Sequence, residues 1–558
     1  MSSSFRRFSS MFSSAAVGLR QSTHSLASAR KMRAPLASAT ALGTLLALGI
    51  LHGHSLHAST TEAATDLLVK FRTPSAAQRF GYSVQLRGAF AEKLTLSPTG
   101  GQWVHVKSAP GATLELSESS LKNDPNVLAV QPNYKIHLLE NYQSHDPVVR
   151  AHALEILKNT SEAELLARHL IEPREGSSQK PAQKPGLLLA SSGDNPNIPT
   201  THSGGVGNDP LYNKQWGMKD MGVADGWKTS TGKGITVAVI DTGVDYTHED
   251  LMDGLWHNPG EMGLDANGKD KANNGVDDEG NGFVDDVIGW DFVSNDNKPY
   301  DLAAGTIQII LSGGNPGHGT HCAGNIGARA NNGKGIGGVA PEVQIMALRF
   351  LDQKGQGDTA GAIKAIDYAV KMGAKVLSNS WGSEGDDPAE AAKNQALKDS
   401  IQNAQNAGVL FIAAAGNGHA GVGYDNDTDP KPGTPASYSN ENIISVAAVD
   451  QNNRLGSFSN WGLKTVHLAA PGVAVFSTTV HGNYSDTVID FLGIKATWDG
   501  TSMATPHVAG AAALYWAAHP QASWMDVKNA LITSAIKIPT LDGKVVSGGK
   551  LNITALMK

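Results

Sequence analysis

Three side chains of this sequence carry the groups that nucleophilic attack on a carbonyl requires: a carboxylate at Asp241, an imidazole at His318 and a hydroxyl at Ser502. A serine hydroxyl is a weak nucleophile until a neighbouring base takes its proton, and that base needs a carboxylate to fix its tautomer and stabilise the imidazolium. Ser502 stands third in "GTSMATPHVAG", Gly500 to Gly510, where a helix is expected to begin. Two readings fit it there. It is either a cap that accepts a hydrogen bond from first-turn amides, or a hydroxyl presented for attack at the positive end of the helix dipole. His318 lies in "NPGHGTHCAGNIG", after a Pro- and Gly-rich loop and at the start of another helix. Asp241 closes the apolar run "ITVAVI". Asn417, at the end of "VLFIAAAGN", offers a side-chain amide to a developing oxyanion, an interaction worth about 3–4 kcal/mol in comparable sites.

Each of these residues needs an element to hold it. From Asn208 to Lys558, "ITVAVIDTG", "VQIMALRFL", "AKVLSNSWG", "VLFIAAAGN", "IISVAAVD" and "TVHLAAPGV" read as buried strands. Between them, "DTAGAIKAIDYAVKMGA" and "DPAEAAKNQALKDSIQNAQNAG" have apolar residues at helical spacing. The alternation predicts an α/β fold, a parallel sheet flanked by helices on both faces. Ligands of such sheets bind outside the carboxyl ends of the strands. Asp241, the run Ser380–Trp381–Gly382, and Ala414 to Asn417 all fall at such ends.

The blocks "VIDTGVDYTHEDL", "HGTHCAG", "AAAGN" and "GTSMATPHVAG", in that order, resemble the four signature blocks of the subtilisin-like serine peptidases, over roughly Asp209 to Leu556. The chain order Asp, His, Ser is that of subtilisin itself. The resemblance implies a serine endopeptidase that works through an acyl-enzyme. Asp241 would orient the base, His318 would act as base and then acid, Ser502 would attack, and Asn417 with the Ser502 amide would hold the oxyanion. Cys322 would lie beneath the site. Other readings of the same residues lack support: an aspartic peptidase needs a second Asp-Thr-Gly or Asp-Ser-Gly, and His318, His321 and Cys322 as zinc ligands lack a further ligand block.

The same resemblance makes Ser380–Trp381–Gly382 and Gly355–Gln356–Gly357 the strand edges on which an extended substrate adds. A pocket for the residue before the scissile bond is expected between Ser380 to Ser383, Ala414 to Gly416 and the neighbourhood of Gly433. The first two walls carry no acid, so a large apolar or aromatic residue is expected there; Asp425, Asp427 and Asp429 leave a basic preference open.

Calcium is expected at two places. The stretch Asp265 to Asp301, "DANGKDKANNGVDDEGNGFVDDVIGWDFVSNDNKPYD", crowds acids and amides onto a Gly-rich loop, as hard divalent cations with six to eight oxygen ligands require; Asp277, Asp278, Glu279, Asn281, Asp285 and Asp286 would repel one another without a cation, and Asp277 and Asp285 are the expected ligands. The alternative is a solvated acidic loop. The second site rests on the resemblance, which implies Asp209, Asp250 and Asn332 with carbonyls of Arg329, Lys334 and Ile336.

Residues 66–140 read as a small α+β unit and resemble the inhibitory pro-domains of the same family, most clearly in "DPNVLAVQPNYKI". This implies an intramolecular inhibitor and a zymogen, cut near Leu138 to Tyr142. An ordinary accessory domain is the alternative. Residues 141–207 read as a linker containing one amphipathic helix, and 208–558 as the peptidase domain. Residues 1–64 read as a targeting segment: six basic residues precede the first acid, Glu62, and Ala34 to Leu51 is uncharged and apolar before a run of small residues, the pattern of a cleaved export signal. An uncleaved anchor is the alternative. A single cysteine leaves an exported chain without an internal disulfide. Of the 45 basic residues, 39 remain beyond residue 61 against 52 acidic ones, and such a surface excludes nucleic acid as the expected partner. The expectation is a secreted, extracellular or periplasmic, monomeric enzyme acting on proteins or peptides.

Overall fold

The strand Thr236–Asp241 is buried along its whole length because its alternate side chains enter two different cores. Val237 and Val239 face one, Ala238 and Ile240 the other, as the two-residue period of a strand dictates. In the strand Leu410–Ala414, Leu410 and Ile412 divide from Phe411 and Ala413 in the same way. Runs apolar on both faces belong inside a sheet covered from both sides. The computed structural model describes residues 66–85, 89–94, 102–108, 118–140, 142–168, 170–171, 208–383 and 393–558. The expected targeting segment lies outside them, as does 172–207 of the expected linker.

Nine strands form the central sheet. Its order is Ile536–Lys537, Gly549–Lys550, Leu468–Pro471, Ile443–Val449, Leu410–Ala414, Val376–Asn379, Thr236–Asp241, Gln344–Arg349 and Gly289–Asp291. All neighbours pair in parallel except the first two. The helices His318–Gly327 and Thr501–Ala518 share one core with the sheet, and Thr359–Lys371 and Gln395–Asn406 share the other. The Thr501–Ala518 helix has buried residues all round, so it runs through the core rather than over it. Its small residues permit close approach: a Cβ at Gly510 would lie 2.7 Å from that of Val339.

Residues 66–132 build a separate antiparallel sheet of four strands, in the order Ala89–Lys93, Gln102–Ser108, Asp66–Phe71 and Val127–Pro132. One face packs on its own helices through Leu67, Val69, Phe71, Val104 and Leu121. From the other, Leu68 and Trp103 join the core of the Thr359–Lys371 and Gln395–Asn406 helices. The polar rim of this contact is specific. Lys70 and the Trp103 indole both reach the Asp399 carboxylate, at 2.6 and 3.0 Å. Gln131 Oε1 accepts from Ala396 N at 3.0 Å and Asn133 Oδ1 from Ala360 N at 2.9 Å, so this unit satisfies first-turn amides that the two helices cannot pair internally.

Three elements differ from the sequence expectation. "VLAVQPNYKIHLL" divides after Pro132, and Lys135–Leu138 leaves the four-stranded sheet to lie between Trp381–Gly382 and Gln356–Asp358. The single helix expected after residue 141 is two, Pro147–Asn159 and Glu162–Ala167, parted where the Ser161 hydroxyl caps Glu164 N. A short helix, Thr306–Ser312, interrupts the loop before His318. Among the described residues no helix is long and apolar enough to cross a membrane.

Candidate active site

The helix that begins at His318 has no cap of its own, since Gly317 precedes it in the left-handed region. Its first amides are met by side chains from elsewhere. Asn315 Oδ1 accepts from Gly317 N and His318 N at 2.9 and 2.8 Å, Thr242 Oγ1 from Gly319 N at 2.9 Å, and Asp301 Oδ2 from Thr320 N at 2.9 Å. Asp301 also takes the hydroxyls of Thr242 and Thr320 and the Asn315 amide. This one buried carboxylate therefore ties the end of the Asp241 strand to the start of the His318 helix. Burial pushes its pKa up to about 6.

That frame delivers the imidazole to the acid. His318 Nδ1 lies 2.8 Å from Asp241 Oδ1, which also accepts from Thr242 N at 2.7 Å. Both side chains are buried. Burial opposes the charged imidazole, but the Asp241 carboxylate, the Cys322 sulfur and the Glu140 carboxylate outweigh it, and the His318 pKa stands well above its ordinary value. Cys322 Sγ lies beneath, 3.9 Å from His318 Nδ1 and 3.7 Å from Ser502 O.

Ser502 sits in the first turn of its helix, and its hydroxyl donates to Ser380 O at 3.1 Å. Four residues on, Pro506 lacks the N–H that would bond Ser502 O within the helix. That carbonyl instead accepts from Ser380 Oγ at 2.9 Å, which fixes the serine turn to the Ser380 segment. Gly416, at φ 113°, makes the turn that presents Asn417. Asn417 Oδ1 accepts from Thr501 N and Thr501 Oγ1, so its Nδ2 faces the cleft.

A carboxylate already occupies that cleft. Glu140 Oε1 accepts from Asn417 Nδ2 at 3.1 Å, and Glu140 Oε2 lies 3.2 Å from His318 Nε2. His318 Nε2 makes no hydrogen bond to Ser502. The preceding strand runs antiparallel to both expected edges: Leu138 pairs with Trp381 and His137 with Gly382 on one side, Ile136 with Gly357 on the other. Leu138 N donates to Gly355 O at 2.9 Å. Leu139 lies beside Gly382, whose absent Cβ would stand 3.4 Å from Leu139 Cδ2.

Residues 232–552 match the subtilase family. The chain belongs to that family. Thermitase of Thermoactinomyces vulgaris is 36% identical over 332 residues, covering 59% of this chain and 92% of thermitase. A thermophilic serine proteinase of Bacillus sp. (strain AK1) is 36% identical over 309 residues, covering 55% of this chain and 59% of its own. Subtilisin-like protease 1 of Plasmodium berghei is 27% identical over 365 residues, covering 63% of this chain and 54% of that protein. As a subtilase the protein is a serine endopeptidase of the α/β subtilisin fold.

Ser383 and Thr434 exchange backbone hydrogen bonds at 3.0 and 3.2 Å, joining the Ser380–Ser383 wall to the Gly433 region. Asp425 and Asp429 accept from Asp427 N and Lys431 N within their own loop, and Asp427 accepts from the more distant Lys464 N and Thr465 N. His321 stacks on Trp498 at 4.2 Å and bonds Val475 O; burial holds its pKa well below the ordinary value. His507 bonds Met503 O within its helix.

Of the two expected calcium loops, the one near the domain start brings its side chains together. Asp209 accepts from the amides of Asn331, Asn332 and Gly333, and Asp250 accepts from Asn332 Nδ2 at 2.8 Å and Ile336 N at 2.9 Å. The backbone from Arg329 to Ile336 wraps this pair. In the acidic loop the grouping departs from expectation. Asp285, at φ 53°, turns its carboxylate onto Gly275 N, whereas Asp277 meets Glu279 and Glu261, ligand atoms of all three lying within 4.8 Å of one another. Glu261 precedes the loop and escaped the sequence reading. It is fully buried, its Oε2 has no hydrogen-bond partner, and burial beside Glu279 pushes its pKa up to about 8.

Proposed function

We propose that this subtilase is a secreted, monomeric endopeptidase made as a zymogen, in which Ser502 attacks the scissile carbonyl. His318 Nε2 takes the serine proton, with Nδ1 held by Asp241, and returns it to the leaving amine. Asn417 Nδ2 and the Ser502 amide hold the oxyanion. For this the Ser502 hydroxyl turns from Ser380 O to the imidazole. The observation that carries the reading is the convergence of His318 and Asn417 on the single carboxylate of Glu140, at 3.2 and 3.1 Å, with the serine turn beside them.

Residues 66–140 act as the inhibitor, their last strand lying along the substrate edges and the cut falling in the Leu138–Tyr142 stretch. The side chains that line this path favour apolar residues before the scissile bond, as Leu139 beside Gly382 exemplifies. The basic-apolar-small pattern of residues 30–64 supports export.

Calcium fits both loops. Glu261, Asp277 and Glu279 are three carboxylates in one partly buried cluster, with one buried oxygen unpaired, and a divalent cation would relieve their repulsion. Asp209, Asp250 and Asn332, with the carbonyls of Arg329, Lys334 and Ile336, form the second oxygen-rich set. The ion's contribution in each is structural.

A fluorophosphonate probe tests the assignment. The processed protein should be labelled at Ser502, and Ser502→Ala and His318→Ala should not be. Equal labelling of the Ser502→Ala variant would overturn it.

A further inference from the structure

The chain beyond Glu140 does not leave the peptidase domain. Residues 142–171 dock on the short helix Thr306–Ser312 and on the hairpin of strands Thr487–Phe491 and Ile494–Thr497. Ala153, Leu165 and Leu170 enter one apolar cluster with Ile307, Ile310 and Ile489. The segment also caps the short helix at both ends. Leu170 O accepts from Ile307 N at 2.9 Å. At the other end Ser144 N donates to Ile310 O at 2.9 Å, and Gln143 Nε2 and Arg150 Nη1 donate to Leu311 O at 2.9 and 2.7 Å. Among the described residues, the apolar side chains by which 66–132 docks, Leu68, Leu94 and Trp103, fall in a different cluster, with the helices Thr359–Lys371 and Gln395–Asn406. The two docked elements also lead directly into the chemistry: one continues through Asn315 to His318, the other through Trp498 to Ser502.

We propose that residues 140–171 are a second inhibitory element, an arm distinct from the pro-domain, which stays docked after the first cut with Glu140 still on Asn417 and His318. This rests on the zymogen reading above. Hydrolysis of the Leu139–Glu140 bond adds one water, leaving a carboxyl on Leu139 and an amine on Glu140. It severs residues 66–139 from an arm whose anchorage is independent of them. The arm's first side chain then fills the oxyanion site and faces the base. Full activity requires a second cut, after Ile171 and before Asn208.

The test uses the full chain with a recognition sequence for an unrelated protease inserted between residues 172 and 207. The self-processed form is verified by mass and N-terminal sequence, freed of residues 66–139, and assayed on a fluorogenic peptide before and after the inserted site is cut. The arm-bearing form should be at least tenfold less active than the trimmed one. Glu140→Gln should raise the arm-bearing form several-fold, while the trimmed enzyme, which no longer contains residue 140, is the same in both. Equal activity before and after trimming, no effect of Glu140→Gln, or an N-terminus beyond residue 140 would each overturn the arm. Full activity while residues 66–139 are still attached would instead overturn the zymogen reading.

Discussion

Thr501 holds Asn417 by both of its hydrogen-bond donors, its backbone N–H at 2.9 Å and its hydroxyl at 2.8 Å. The same hydroxyl accepts from Gly416 N at 3.2 Å. The residue before the proposed nucleophile thus aims the proposed oxyanion donor. An amide group left to rotate would present oxygen as readily as nitrogen, and oxygen repels an oxyanion.

Thr501→Val should therefore lower kcat by about tenfold with little change in KM. Asn417→Ala should lower it by about 10²–10³, the range measured for subtilisin's own oxyanion donor. If Thr501 acts through Asn417, the double variant should be no worse than Asn417→Ala alone, as steady-state kinetics on a fluorogenic peptide will report.

Asp301 makes stability depend on pH. Its folded pKa of about 6 lies above the unfolded value, so the folded chain holds this proton more tightly, and stability from this group falls as pH rises from about 4 through 6. The loss is on the order of 3 kcal/mol. Urea unfolding of the Ser502→Ala protein, which cannot digest itself, should show this slope between pH 4 and 6.5, and Asp301→Asn should flatten it.

Calcium should raise Tm, and Glu261→Gln should remove much of the rise, because it takes a carboxylate from the cluster with Asp277 and Glu279. An ion at a hundred times its Kd stabilises by about 2.7 kcal/mol. Asp285→Asn should keep most of the effect, since that carboxylate rests on Gly275 N. Thermal scans with calcium and with a chelator decide this.

Asp399 joins the leading unit to the peptidase domain through Lys70 and Trp103. Asp399→Ala leaves a partly buried ammonium and an indole N–H without that acceptor, a loss of about 1–3 kcal/mol. The unprocessed variant should gain measurable peptide hydrolysis, while its trimmed form keeps normal kinetics.

The strands of the central sheet were legible because a strand covered on both faces must be apolar at every position, as Val237 to Ile240 and Leu410 to Ala414 are. Asp241 ends such a strand and His318 and Ser502 stand in the first turns of helices, but it was the resemblance of their sequence blocks to the subtilisin-like peptidases that proposed them, with Asn417, as one site. What escaped was either short or distant. Gly289–Asp291 is an edge strand of three residues, and Thr306–Ser312 has too few turns for its apolar run to declare a period. Glu261 joins its loop across sixteen positions of chain to Asp277, and Glu140 meets Asn417 across 277. No local pattern encodes such meetings.

Among the described residues the segments Trp381–Gly382 and Gln356–Asp358 share a sheet only through Lys135–Leu138, which lies between them. In a form processed as proposed, which has lost that strand, two rows of backbone donors and acceptors would face water across one slot. Any extended polypeptide can satisfy them, including a frayed loop of a sister molecule. Concentrated stocks of the ripened enzyme should consequently shorten their own shelf life, with second-order loss that a slow peptide occupant or dilution suppresses.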